Sequence, residues 1–313
     1  MSFPVFDLHC DTAYTMLGKS FREVGNLRRN KLHIDLEKAG KLAGYAQCFA
    51  CFTTPKETID PVVLFERELA TILSQIEQNS SIIRLAYSAE DIKKNFESGL
   101  MSAILTLEGT AGFGYDPEML DDLYKIGFRI SSLGWNEHNV LTGSHETGGG
   151  LSEQGRAYVR NAQRLGMLID VSHISDEGFW DIIDITERPI IATHSNSRSV
   201  CNVSRNLTDD MFCAICKTGG VVGINLFPDF LGSDASLDTI CDHIFHFLEL
   251  DPTGKHIALG GDLDGVDSLP HGFKDVSDYN LLSDTLLNRG LEADMIQDIF
   301  WNNILGVIGL CCT

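Results

Sequence analysis

Basic charge is scarce in this chain of 313 residues, where 24 Lys and Arg stand against 44 Asp and Glu for a formal charge of -20. Phosphate backbones and anionic lipid surfaces are held by clustered Lys and Arg, so binding to nucleic acid or to a membrane surface is excluded as a main role. No uninterrupted apolar stretch is long enough to span a bilayer. The first nine residues, Met1 to His9, lack the basic start, apolar core and small-residue cleavage site of a secretory signal. The expected location is cytoplasmic.

Proline is sparse, at 8 residues, and no Pro- or Ser-rich linker interrupts the chain, so residues 1–313 are expected to fold as a single domain. The nine cysteines are odd in number and sit in apolar or helical contexts, among them Cys10, Cys48, Cys51, Cys201, Cys213 and Cys216. That speaks for free thiols, and against both a disulfide framework and a Cys-based structural zinc site. The run Gly148-Gly149-Gly150 is not followed by Gly-Lys-Ser/Thr, so residues 143–155 read as a mobile loop and not a phosphate loop. There is no internal repeat.

What is present is an ordinary globular composition, 43% hydrophobic and 22% charged. Apolar runs of strand length recur at 4–8, 45–52, 103–107, 128–132, 167–171, 190–193, 221–225 and 257–259. Stretches with helical spacing lie between and after them, notably 61–76, 152–165 (opened by Ser152), 209–216 (preceded by Thr208), 239–248 and 292–310. Eight strand-then-helix units predict an α/β fold of the (β/α)₈, TIM-like barrel type; a doubly wound sheet shares the local pattern, and periodicity alone does not separate the two.

Chemistry gathers where strands end. His9 and Asp11 are two apart in the first strand, so a period-2 element turns both to one face, where an imidazole and a carboxylate can chelate a divalent metal. Glu108 closes the run 102–107, His173 follows 168–172, His194 follows 189–193 and Asp262 follows 257–261. Each taken alone is as well explained by capping or backbone hydrogen bonding. Six such residues from five strands, all of ligand or acid/base type, point together to a metal site at the carboxyl face of a barrel. One glutamate between a His-x-Asp pair and two histidines suits two ions sharing a water held as hydroxide, with Asp262 passing its proton to the leaving group.

These residues resemble the membrane (renal) dipeptidase family of the amidohydrolase superfamily, especially its soluble bacterial-type members. The similarity runs in order from Asp7-Leu8-His9-Cys10-Asp11-Thr12 through Glu108-Gly109, Asp170-Val171-Ser172-His173, Thr193-His194-Ser195-Asn196 and Ser204-Arg205-Asn206 to Gly260-Gly261-Asp262-Leu263-Asp264-Gly265-Val266. The resemblance implies a metallo-hydrolase barrel with two zinc ions per chain, another divalent metal being the alternative. It implies hydrolysis of small dipeptides, including those with a C-terminal D-residue, by a metal-bridging hydroxide. By position, His9 and Asp11 match the ligands of one zinc, Glu108 the bridge, His173 and His194 the ligands of the other, and Asp262 the catalytic acid/base, with Asp264 ranked second. Arg205 matches the arginine that pairs with the substrate carboxylate. Where the family commonly has a substrate-polarising His after the fourth strand, this chain has Trp135 and Asn136, with His138 two or three residues late. Both are expected at the substrate, Asn136 as a hydrogen-bond donor and Trp135 as a contact or pocket wall. The family's lipid anchor is not expected here, and a homodimer is in keeping with it. Two other readings share these residues: hydrolysis of a lactone, cyclic amide or phosphoester, and an inactive metal- or partner-binding barrel.

Overall fold

The computed structural model describes residues 2–18 and 25–312. Among the described residues nine strands form one parallel sheet: β1 (Val5–Cys10), β2 (Tyr45–Phe52), β3 (Ile83–Leu85), β4 (Met101–Glu108), β5 (Phe128–Ser132), β6 (Leu168–Asp170), β7 (Ile190–Ile191), β8 (Val222–Ile224) and β9 (Ile257–Leu259). Their order is β7-β6-β5-β4-β2-β1-β9-β8, with β3 paired to β4 beside this path. The two ends meet where Ala192 pairs with Val222 and the Gly223 N–H donates to the Ala192 carbonyl at 2.8 Å. A nearly closed eight-stranded barrel results, as the recurring apolar runs predict. The ninth strand, β3, is Ile-Arg-Leu, where an exposed arginine breaks the apolar run by which the other strands are read.

Caps place the outer helices. Ser152 accepts from the Gly155 N–H at the head of helix Glu153–Leu165, and Thr208 accepts from the Met211 N–H at the head of Asp209–Thr218. Gly166 and Gly219, both at positive φ, end those helices. Helices Ala89–Glu97, Leu120–Ile126, Asp176–Ile185 and Tyr279–Asn288 add to those expected. The stretch expected as one helix over 292–310 contains a π turn, Asp298–Asn302, between Ala293–Gln297 and Asn303–Cys311. The wide turn lets three consecutive residues, Ile299, Phe300 and Trp301, all be buried, which a regular surface helix does not manage.

Alternate strand residues fill the barrel: Phe6, Leu8, Ala46, Cys48, Ile104, Ile130, Leu168, Ile191 and Ala258 pack in one cluster with Trp301, Ile304 and Ile308 of the C-terminal segment. Trp301 meets Phe6 at 5.8 Å between rings and plugs the amino end of the barrel. The opposite, carboxyl end stays open to side chains that leave the strands.

The seam between β7, β8 and β9 depends on missing side chains. A Cβ on Gly260 would sit 1.7 Å from the Thr193 carbonyl oxygen, and one on Gly223 would sit 2.0 Å from the same atom. Gly260→Ala therefore forces backbone apart and is expected to cost about 1–3 kcal/mol. Gly306→Ala, in the last helix with open space around it, is expected to stabilise by about 0.4–1 kcal/mol. Urea denaturation of both variants checks the pair; equal midpoints would refute the account of the seam.

Candidate metal centre and active site

The first strand reaches the centre by an irregularity. Phe6 and Leu8 point into the barrel, so strict alternation would send His9 outward. Against β2, however, three steps from Asp7 to Cys10 match only two from Gln47 to Phe49. The bulge changes the parity and brings His9 inward, a known use of bulges beside sites. Outward-facing Asp7 locks the turn, accepting from the His9 N–H (3.0 Å), the Gly261 N–H (3.0 Å) and the Tyr279 hydroxyl (2.5 Å).

Glu108 ends β4 in the inward row and divides its oxygens. Its Oε2 lies 3.3 Å from His9 Nε2, which is itself 3.4 Å from Asp11 Oδ2. Its Oε1 lies 2.9 Å from His173 Nε2 and 3.8 Å from His194 Nε2. Gly109 follows at φ 77°, where a Cβ would strike the Thr53 carbonyl oxygen at 2.1 Å, so the chain turns away at once behind the carboxylate.

Outer partners fix both histidines of the second half. His173 Nδ1 is 2.8 Å from Asn136 Oδ1, an atom that only accepts, so the proton sits on Nδ1 and the lone pair on Nε2. His194 Nδ1 meets Thr193 Oγ1 at 2.7 Å, and that hydroxyl gives its own proton to Asp170 Oδ2 at 2.6 Å. Again Nε2 is left with the lone pair. The two Nε2 atoms stand 3.0 Å apart beside Glu108. Lone pairs so directed repel unless a cation takes them.

The two candidates for acid/base separate cleanly in space. Asp262 presents Oδ1 to the cluster, 3.9 Å from His9 Nε2, while Oδ2 accepts from Asn225 Nδ2 at 3.0 Å. Asp264 turns aside, with its oxygens taken by the Thr12 hydroxyl and the His33 N–H, each at 2.6 Å. Both residues adopt left-handed φ, 56° and 68°. Such strain in non-glycine residues concentrates at functional sites. Gly265 leaves room, since a Cβ there would lie 2.1 Å from Asp11 Oδ2 and 2.6 Å from Asp262 Oδ1.

Arg205 is buried and reaches the same spot: Nη1 donates to Ser195 Oγ at 2.8 Å and Nη2 lies 3.1 Å from His173 Nε2. Arg198 holds the loop that carries it, donating to the carbonyls of Ser204 and Asn206 and to both oxygens of Asp176. Above the cluster is a cavity of about 660 Å³ whose wall includes Tyr14, Phe52, Trp135, Phe227 and Phe230. Trp135 stands edge-on to Phe52 at 5.1 Å, with Lys56 Nζ 5.5 Å over its ring. Asn136 is placed differently from a bare substrate donor. Its Oδ1 braces His173 and also meets His145 Nε2 at 3.0 Å.

The donor set fits divalent metal. Three imidazoles and the carboxylates of Asp11, Glu108 and Asp262 converge without a thiol, and the triads His9-Glu108-His194 and His9-Asp11-Asp262 each bring their donor atoms within 4.8 Å. His9 Nε2 and Asp11 Oδ1 are shielded from solvent with no hydrogen-bond partner, an arrangement that costs free energy unless a cation meets them. Burial pushes Glu108 up from the usual carboxylate range, and Asp11 adds to this while His9 opposes it. Burial alone would depress His9, but Glu108 and Asp11 together hold it well above the usual imidazole value. Burial lowers His173 and His194, which stay neutral donors.

Several residues here escaped the sequence reading. Asn225 closes a strand run just as the ligand candidates do, so its signal was available; Asp7 and Asp170 stand in the quoted motifs without a role of their own, and His145 carried no signal. The glycine-rich stretch read as mobile is pinned, by His145 N–H to the His173 carbonyl (3.0 Å), Gly149 N–H to Glu177 (2.6 Å) and Leu151 N–H to Asp181 (2.7 Å).

Compared with known proteins, residues 1–311 match the family described as membrane dipeptidase, peptidase family M19. The chain belongs to that family. The M19 chain is 34% identical over 264 residues to a Klebsiella pneumoniae protein encoded in the pqqA 5′ region, covering 80% of the one and 96% of the other. It is 34% identical over 223 residues to an uncharacterized dipeptidase of Schizosaccharomyces pombe, covering 69% of this chain and 54% of the relative. It thus spans about half the length of that fungal relative. Among solved structures, a metallopeptidase of Rhodobacter sphaeroides liganded with a phosphinate mimic of L-Ala-D-Ala superposes with a TM-score of 0.91 at 23% identity, over 99% of this chain and 100% of the other. Despite the family's name, among the described residues no helix is long and apolar enough to cross a membrane.

The loop behind Arg205 has an acid-sensitive tie. His243 is buried, accepts the Ser197 N–H on Nδ1 at 3.1 Å and meets the Leu231 carbonyl with Nε2 at 3.2 Å; burial depresses it to about 4 from 6.5. Between those values the unfolded chain binds a proton that the folded one refuses, so this contribution is complete above pH 6.5 and is lost as pH falls toward 4. The pH slope of unfolding free energy in that window is expected to shrink in His243→Gln. An unchanged slope would show that the tie is not titrating.

Proposed function

We propose that this M19 chain is a two-zinc dipeptidase. The observation that carries the reading is Glu108, with one oxygen toward His9 and Asp11 and the other toward the Nε2 lone pairs of His173 and His194. His9 and Asp11 would hold one ion, His173 and His194 the other, and Glu108 both. When bound, such a pair supplies Lewis acidity toward the scissile carbonyl and toward water.

The chain's own groups do the rest. Arg205 pairs with the C-terminal carboxylate of the dipeptide, and its guanidinium fork fixes the scissile bond over the cluster. Asp262, steadied by Asn225, takes the proton of the attacking water and gives it to the leaving amine. Asn136 keeps His173 in the donor tautomer with Oδ1 and has its amide N–H groups for a substrate carbonyl. Trp135 and Phe52 line the side-chain space. The R. sphaeroides ligand makes C-terminal D-residues part of the expected range. Nine free thiols suit a reducing, cytoplasmic setting.

Metal analysis and a dipeptide panel with L- and D-residues at the second position test the reading. About two equivalents per chain are expected to depend on the barrel mouth, with loss in Glu108→Gln and partial loss in Asp11→Ala. Metal content that ignores both changes, or a metal-replete chain inert on the whole panel, would sink it.

Arg205→Lys tests the clamp. Hydrogen bonds to charged groups contribute about 1.5–3 kcal/mol, so kcat/KM for a free dipeptide should fall about 10- to 100-fold. The matching C-terminal amide should be little affected, and equal losses on both would remove the clamp from the account.

A further inference from the structure

A second donor cluster lies at the other end of the barrel. Cys216, Asp251 and His256 bring one donor atom each to within 4.8 Å of one another, and all three are half-buried. Cys216 is in the last turn of helix Asp209–Thr218, Asp251 caps the end of helix Leu237–Leu250, and His256 leads into β9. These are amino-end positions of the strands, whereas His9, Asp11, Glu108 and Asp262 sit at the carboxyl ends.

Two details single the cluster out. His256 Nδ1 lies 2.7 Å from the Gly220 carbonyl oxygen, which only accepts, so Nδ1 is the protonated nitrogen and Nε2 keeps its lone pair. Its backbone is pinned as well, the carbonyl accepting from the Val222 N–H at 2.9 Å. Asp251 spends Oδ1 on the N–H and hydroxyl of Thr253 (3.1 and 2.6 Å), while Oδ2 is shielded from solvent with no partner. A helix carboxyl end carries partial negative charge, and two such ends meet here, which favours a cation.

We propose that Cys216, Asp251 and His256 form a structural site for a zinc-like divalent cation, separate from the barrel mouth. One thiolate, one imidazole held by a carbonyl behind it and one carboxylate make a borderline-soft set that suits zinc over magnesium or calcium. Zinc–ligand bonds of about 2.0–2.3 Å place tetrahedral donors about 3.3–3.8 Å apart, so the cluster closes by an adjustment of about 1 Å or so. The fourth position falls to water or to Cys213, three residues back on the same helix. A bound ion would clamp two helix ends to the start of β9. The site is independent of the dipeptidase reading.

Cobalt(II) added to the metal-stripped full chain is the test, because a thiolate ligand gives a charge-transfer band in the near ultraviolet that the thiol-free mouth does not. The band is expected to saturate at one cobalt per chain, to persist in Glu108→Gln and to weaken strongly or vanish in Cys216→Ser. In His256→Gln the affinity read from the band should fall at least about tenfold. No band in the wild type, or a band untouched by Cys216→Ser, overturns the site. If Cys216→Ser does not fold, His256→Gln decides: an unchanged affinity refutes the proposal. A chain inactive on dipeptides would leave the band as it is.

Discussion

A single carboxylate, buried at the end of β4, ties the two halves of the barrel mouth together. Glu108 is closed off from solvent, yet it faces three imidazoles and lies near two further acids, Asp11 and Asp262. A low-dielectric interior does not tolerate this much unbalanced charge without cations, and only side chains held rigidly can keep it in place. Much of the surrounding architecture answers that demand. Asp7 locks the bulge behind His9, Asp170 and Thr193 set the tautomer of His194, Asn136 sets that of His173, and Asn225 aims Asp262.

Those supports come from segments far apart in the chain, and the parallel barrel is what brings them together. Its strands all deliver their last residues to the same face, so each ligand candidate needs only to follow its strand directly. The seam glycines at 223 and 260 let β7, β8 and β9 approach closely enough to complete the ring. The geometry of the mouth and the closure of the barrel are therefore one problem for the sequence.

How much of this was legible depends on where each signal resides. The eight barrel strands are apolar runs and were readable as such, because burial on both faces leaves a compositional trace. The ligand candidates were readable as polar residues ending those runs. His9 was reached by an argument with a gap: alternation counted from Leu8 sends it outward, and the bulge that reverses this has no sequence mark. Asp262 ranks ahead of Asp264 in the sequence because it closes its strand, and the fold adds the reason that Asp264 spends its oxygens on Thr12 and His33. His145 and Asn136 meet across a loop, and contacts of that kind leave no period. Cys216 reads as a plain free thiol because its neighbours Asp251 and His256 come from other segments.

The plug formed by Trp301, Ile304 and Ile308 gives the barrel a floor. A vessel open at one end has no through-passage: whatever enters at the mouth must leave by the mouth. An extended chain cannot thread past such a centre as it would through a tunnel, so the length of whatever lies on the floor side of the reacting bond is limited by depth, before any side chain is inspected. Both fragments of a cleaved molecule would share one exit.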